Sequence, residues 1–192
     1  MVISNTRQRY GLVSILLHWV MALLIFGLFG LGLYMTDLGY YDPWYRQGPD
    51  LHRSIGVVVV ILLFLRLLWK KLSPLPLALS SQKAWELRLA GIVHSVFYGL
   101  ILLIAISGYL ISTADGRAVS VFGLFEIPAL ISDIDGQEDV AGLIHFWLAW
   151  LMMGLVALHA LGALKHQIID KDGTMMRMLG GESRQNKSAR SN

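Results

Sequence analysis

Four stretches of this chain carry no charged side chain: Tyr10 to Thr36, Ser54 to Leu65, Leu89 to Ala114 and Val140 to Leu164. Three of them reach the roughly 20 residues that a helix needs to cross a hydrocarbon core. The second is short. It becomes a span when read from about Leu51 to Trp69, with Arg53 at one headgroup layer and Arg66 snorkelling towards the Lys70 and Lys71 end. The expected fold is all-α, an integral membrane four-transmembrane-helix bundle with helices at about 11–35, 51–70, 90–112 and 141–166. These make a single domain over 1–179, followed by a polar, basic tail at 180–192 that is expected to be disordered. A hydrophobic content of 55% against 15% charged residues agrees with this reading.

Orientation follows from the placement of Lys and Arg, which concentrate on the cytoplasmic side of membrane helices. The N-terminal tail, the second connection and the C-terminal tail hold all of the 16 basic residues except Arg46, Arg53 and Arg117. Those three share the first and third connections with nine acids: Asp37, Asp42, Asp50, Asp115, Glu126, Asp133, Asp135, Glu138 and Asp139. Both termini are therefore expected in the cytoplasm, and the net charge of +3 reflects this asymmetry rather than a nucleic-acid surface. The first apolar run exceeds the roughly 7–15 residues of a signal h-region and has no A-x-A-like site after it, so it is expected to stay as a helix. The chain has no cysteine, which excludes disulfides, thiolate-bound clusters and covalent C-x-x-C-H haem attachment.

Within this frame the histidines fall into layers. His145 and His159 are fourteen residues apart on the fourth span, a rise of about 21 Å that brings both imidazoles to one helix face. His52 begins the second span and shares the outer level with His145; His18, His94 and His159 share the inner level. Ionisable groups inside a membrane are costly and point to a site. Two layers of imidazoles in a helical bundle are what two stacked b-type haems need, each iron taking one nitrogen from each of two facing helices. A metal or proton pathway would instead call for Asp or Glu at the same depth, and none lies inside the four spans. Depth alone leaves the inner partner of His159 open between His18 and His94. Gly27, Gly30, Gly32, Gly56, Gly99, Gly108, Gly142, Gly154 and Gly162 leave room for a planar ligand, or let helix backbones approach one another.

The segments R-Y-G-L-V-S-I-L-L-H-W, L-H-R-S-I-G, I-V-H-S-V-F-Y, H-F-W-L-A-W, L-H-A-L-G-A-L-K-H and I-D-K-D-G-T-M-M-R-M resemble those of the prokaryotic cytochrome b561 family, over roughly residues 7–179. The family comprises four-helix di-haem cytochromes of the bacterial inner membrane. The resemblance implies two haem b groups, the inner held by His18 and His159 and the outer by His52 and His145. It leaves His94 as a second-shell or propionate contact and puts His166 near a quinone, most readily ubiquinone. An interfacial imidazole beside Lys165 suits a quinone carbonyl and its protonation. It further implies electron transfer between an outer-face donor and quinone, with superoxide oxidation as one activity in the family, although the first connection, L-G-Y-Y-D-P-W-Y-R-Q-G-P-D, diverges from that branch.

Expected partners are membrane lipid, quinone and a small redox donor, either superoxide or a periplasmic redox protein, with a homodimer also expected and no nucleic acid. Arg53 and Arg117 are placed to draw an anionic donor to the outer haem. Two other classes fit the residues less well: the cytochrome b anchor of a larger respiratory complex, and a non-haem metal transporter. In the long third connection, V-S-V-F-G-L-F-E-I-P-A-L is read as a short helix on the outer face. Trp19, Trp147 and Trp150 lie near haem level, Trp44, Trp69 and Trp85 read as belt anchors, and the methionines read as packing or as lying beyond the bundle.

Overall fold

The computed structural model describes residues 2–79 and 81–181, so most of the basic tail lies outside the described residues. Its long elements are α1 (Leu12–Thr36), α2 (Trp44–Leu72), α3 (Ala84–Ser112) and α4 (Gln137–Lys165), each long and apolar enough to cross a membrane. A hairpin of β1 (Val119–Val121) and β2 (Phe125–Ile127) follows α3, and a short α5 (Thr174–Met178) follows α4. Large apolar side chains point outwards along the helices: Leu23 is 69% exposed, Leu143 62% and Leu158 65%. Such surface is unsuited to water and suits lipid, where helices satisfy their own backbone groups.

Three helices begin earlier than the hydrophobic pattern indicates, α4 at Gln137 rather than near 141, and local capping explains the other two. The carboxylate of Asp42 accepts a hydrogen bond from the Trp44 amide at 2.9 Å, and Pro43 follows it with a preset helical φ, so α2 starts before the polar Arg46–Asp50 turn rather than near 51. Glu86 reaches back to the Lys83 amide at 2.9 Å, the return arm of a capping box, and α3 starts at Ala84.

The segment read as a short outer helix is instead the hairpin. Its strands pair Val119 with Ile127 and Val121 with Phe125, and the alternation V-S-V and F-E-I is the period of a strand. Phe122 and Gly123, with φ of 51° and 68°, form the tight turn that closes a two-stranded ribbon, and the Leu124 amide donates to the Val121 carbonyl across it. The Phe122 amide donates to Ser54 Oγ at 2.9 Å, tying the hairpin to α2.

The chain forms two compact units. One comprises the described parts of Met1–Val20, Phe64–Phe97 and Met153–Asn192; the other comprises Met21–Leu63 and Tyr98–Met152. In the first, buried Asn5 accepts from the Gly11 amide and Ser14 Oγ through its side chain, at 2.8 and 2.7 Å. A Cβ on Gly11 would lie 2.4 Å from the Ile3 carbonyl oxygen, so only glycine fits there. Arg177, 9% exposed, donates to the carbonyls of Leu77 and Gln8 at 2.8 and 3.0 Å, and burial pushes its pKa below the usual arginine value. Arg177→Met is expected to lower stability by about 1–3 kcal/mol through the carbonyls left without donors, measurable as a fall in the thermal midpoint in detergent.

Candidate functional site

The first unit gathers His18, His94, His159 and His166; the second holds His52 and His145. In the second, the rings of His52 and His145 meet edge-on, with centroids 6.1 Å apart and planes inclined at 63°. In the first, His18 and His159 are 6.3 Å apart, and His94 lies 5.6 Å from His159. A first-row metal ion binds an imidazole nitrogen at about 2.0–2.1 Å, and the ring centroid lies roughly 1.1 Å behind it, so two imidazoles on opposite sides of one ion stand about 6.3 Å apart. The His18–His159 and His52–His145 spacings fit that arrangement, whereas the His94–His159 spacing is short for it.

The environment of each ring bears on which nitrogen is available. His145 Nδ1 donates to the Ile104 carbonyl at 2.9 Å, with Ser107 Oγ 3.2 Å from the same nitrogen. A carbonyl on Nδ1 fixes the tautomer and leaves the Nε2 lone pair for a metal, the usual support of a ligating histidine. His52 Nδ1 is buried without a partner. At His18 the neighbour is cationic: Arg66 Nη1 lies 3.3 Å from Nδ1. The charge pattern marked Arg66 as a residue reaching for the interface, and nothing in the spacing indicated that its guanidinium meets His18.

Glycines complete the fit. A Cβ on Gly27, Gly30, Gly56, Gly99, Gly142, Gly154 or Gly162 would meet nothing within 4 Å, so these positions open space rather than seat a neighbouring backbone. Gly32 and Gly108 differ. A Cβ on Gly32 would touch His52 Cε1 at 3.4 Å, and one on Gly108 would press on His145 Cε1 at 3.1 Å. Gly108→Ala is therefore expected to push the His145 ring aside and reduce haem content at that site, while Gly32→Ala is tolerated; quantitative haem extraction from both variants checks this. The residues present fit bis-imidazole ligation of two planar groups.

His166 stands apart from the ring pairs. The last turn of α4 widens into a π turn over His166–Asp170, a geometry frequent at functional sites. Lys171, at φ 51°, and Gly173, at φ 84°, then reverse the chain and return Asp172 to the imidazole. His166 Nδ1 lies 2.9 Å from both Asp170 and Asp172, the latter 2% exposed. Lys165 binds Glu86 at 2.6 Å and Asp170 at 2.8 Å. Glu86, His166 and Asp170 bring ligand atoms close enough for a metal ion, but the Lys165 ammonium already supplies the positive charge between the two acids. The three acids escaped sequence reasoning; for Asp170 and Asp172 the signal was D-K-D-G, with its left-handed turn residues.

In the second unit a cavity of about 630 Å³ is lined by Met35, Leu38, Tyr45, Arg46, Pro49, Asp50, Arg53 and Arg117. Arg53 pairs with Asp50, and its buried Nε has no partner. Arg117 pairs with Asp115, holding that carboxyl below the usual range, so the pair persists until pH falls past the lowered value.

Among the tryptophans, Trp69 is no simple belt residue, since its indole donates to Ser14 Oγ at 3.0 Å. The Trp19 indole donates to the Met178 carbonyl, and its ring meets His18 edge-on. Trp150 packs edge-on against Phe29, while Trp147 is 63% exposed.

Four membrane-spanning helices carrying two facing imidazole pairs, with no cysteine, define a multi-pass membrane protein of the cytochrome b type. The chain belongs to the prokaryotic cytochrome b561 family, whose model matches residues 9–181. Membership implies b-type haem and a bacterial membrane location. It is 48% identical over 183 residues to cytochrome b561 homolog 2 of Escherichia coli K12, covering 95% of this chain and 97% of that one. The probable superoxide oxidase CybB of Yersinia pestis is 29% identical over 173 residues, covering 90% of this chain and 96% of the relative. Cytochrome b561 homolog 1 of E. coli K12 is 26% identical over 175 residues, with 90% and 97% covered.

Proposed function

We propose that this protein carries electrons across the bacterial inner membrane through two b haems, from a donor at the outer face to quinone at the inner one. The observation that carries this reading is the pair of ring spacings, 6.3 and 6.1 Å, each matched to two imidazoles on one iron. His18 and His159 are assigned to the inner haem and His52 and His145 to the outer. His94, beside His159, is assigned a supporting contact. Haem with two imidazole ligands supplies one-electron transfer and has no open position for oxygen chemistry.

This chain's own residues do the rest. Ile104 and Ser107 orient His145, and the glycines leave room for the macrocycle. At the inner face, Asp170 and Asp172 hold a proton on His166 Nδ1, leaving Nε2 to exchange a proton with a quinone carbonyl, most readily that of ubiquinone. At the outer face, Arg46, Arg53 and Arg117 line one cavity with a single acid, Asp50, a net positive setting that attracts a small anionic donor. With the superoxide-oxidase name of a relative, this favours superoxide. Cytoplasmic termini follow from the basic residues of both tails.

The test is a pyridine haemochrome assay with a reduced-minus-oxidised spectrum on detergent-purified protein, followed by superoxide-driven reduction of a ubiquinone analogue. Two b haems per chain and superoxide-dependent quinol are expected. Absence of haem overturns the cytochrome reading; haem without quinol formation overturns the donor.

A further inference from the structure

The two ligand sets differ in the charge beside them, and that difference bears on which way an electron runs. Arg66 lies in α2, half-buried, with Nη1 3.3 Å from His18 Nδ1. Among the described residues no carboxylate pairs with it. The acids of the same unit are engaged elsewhere: Glu86 and Asp170 by Lys165, and Asp172 by His166. Membrane cations ordinarily find a counter-charge or mark a functional path.

At the other site the nearby cation, Arg53, has a carboxylate partner, Asp50. There His145 donates from Nδ1 to a carbonyl, which makes the imidazole a stronger donor and favours oxidised iron. A cation beside the first ligand set favours the added electron, more strongly in a low-dielectric interior than in water.

We propose that Arg66 holds the haem of His18 and His159 at a higher reduction potential than the haem of His52 and His145, so that electrons run downhill from the outer site to the inner one. This rests on the ligand assignment above and adds the residue that sets the direction. Arg66 is a positioning residue, acting through the field at the His18 ligand set.

Spectroscopic redox titration of purified holoprotein tests it, with wild type, Arg66→Gln, Arg66→Lys and His145→Ala. Wild type is expected to titrate in two steps, and the haem that His145→Ala retains is expected to correspond to the upper one. Arg66→Gln should shift that step down by at least tenfold in its one-electron equilibrium constant, about 59 mV, with a smaller shift at the other. Arg66→Lys should keep most of the wild-type value. The proposal is overturned if the haem retained in His145→Ala is the lower-potential one, or if Arg66→Gln leaves the upper step in place or raises it, the result expected were the guanidinium bound to a deprotonated His18. The order read from His145→Ala stands even where Arg66→Gln fails to assemble. If His145→Ala keeps both haems, the ligand assignment itself fails, which is a different result from an unmoved potential.

Discussion

His145→Ala is expected to lower haem from two per chain to about one, without loss of the remaining b-type spectrum. The b haem is held without a covalent link, so removing one of two axial bonds should weaken binding by more than the 10–100-fold that follows loss of an outer-shell partner. The surviving centre is the one assigned to His18 and His159, whose rings stand 6.3 Å apart in the other compact unit. His18→Ala should give the mirror-image loss. His94→Ala should keep both haems, because its 5.6 Å spacing from His159 is too short for opposite sides of one ion. Haem per polypeptide across these variants checks the assignment, and loss of a haem in His94→Ala with retention in His18→Ala would reverse it.

The second large effect is expected at the far end of α4. His166→Gln should slow reoxidation of the reduced protein by a ubiquinone analogue about 10²–10⁴-fold, the usual contribution of a positioned acid or base. Haem content and spectra should stay as in wild type, because His166 belongs to neither facing ring pair. Asp172→Asn should have a smaller effect in the same direction, since Asp170 lies equally close to His166 Nδ1. Stopped-flow reoxidation measures both, and an unchanged rate in His166→Gln would remove this residue from the quinone site.

What the sequence revealed follows from which physical signals are local. Charge-free length identified three of the spans because a bilayer demands it of each segment separately, and the second was read by extending its short run to arginines at the headgroup layers. Helix starts were less legible: D-P before Trp44 and the Glu86 return bond act through single hydrogen bonds that the hydrophobic pattern does not register. The hairpin was misread because F-G at its turn weighs more than the apolar run around it. At the site, depth along a helix follows from residue number, which layered the histidines. Azimuth between different helices does not, so the choice between His18 and His94 came from the family resemblance, while the Arg66 contact and the return of Asp172 onto His166 required coordinates.

The division of histidines between the two units has a consequence for biogenesis. A hairpin of α1 and α2 alone would carry one ligand of each proposed pair, His18 and His52, while α4 supplies both complements, His159 and His145. On the proposed assignment neither pocket is complete until the last long helix has joined, and no truncation that removes α4 leaves a whole one. Capture of the two proposed haems is then expected to be a late event shared by both sites, with the incoming helix as the common latch.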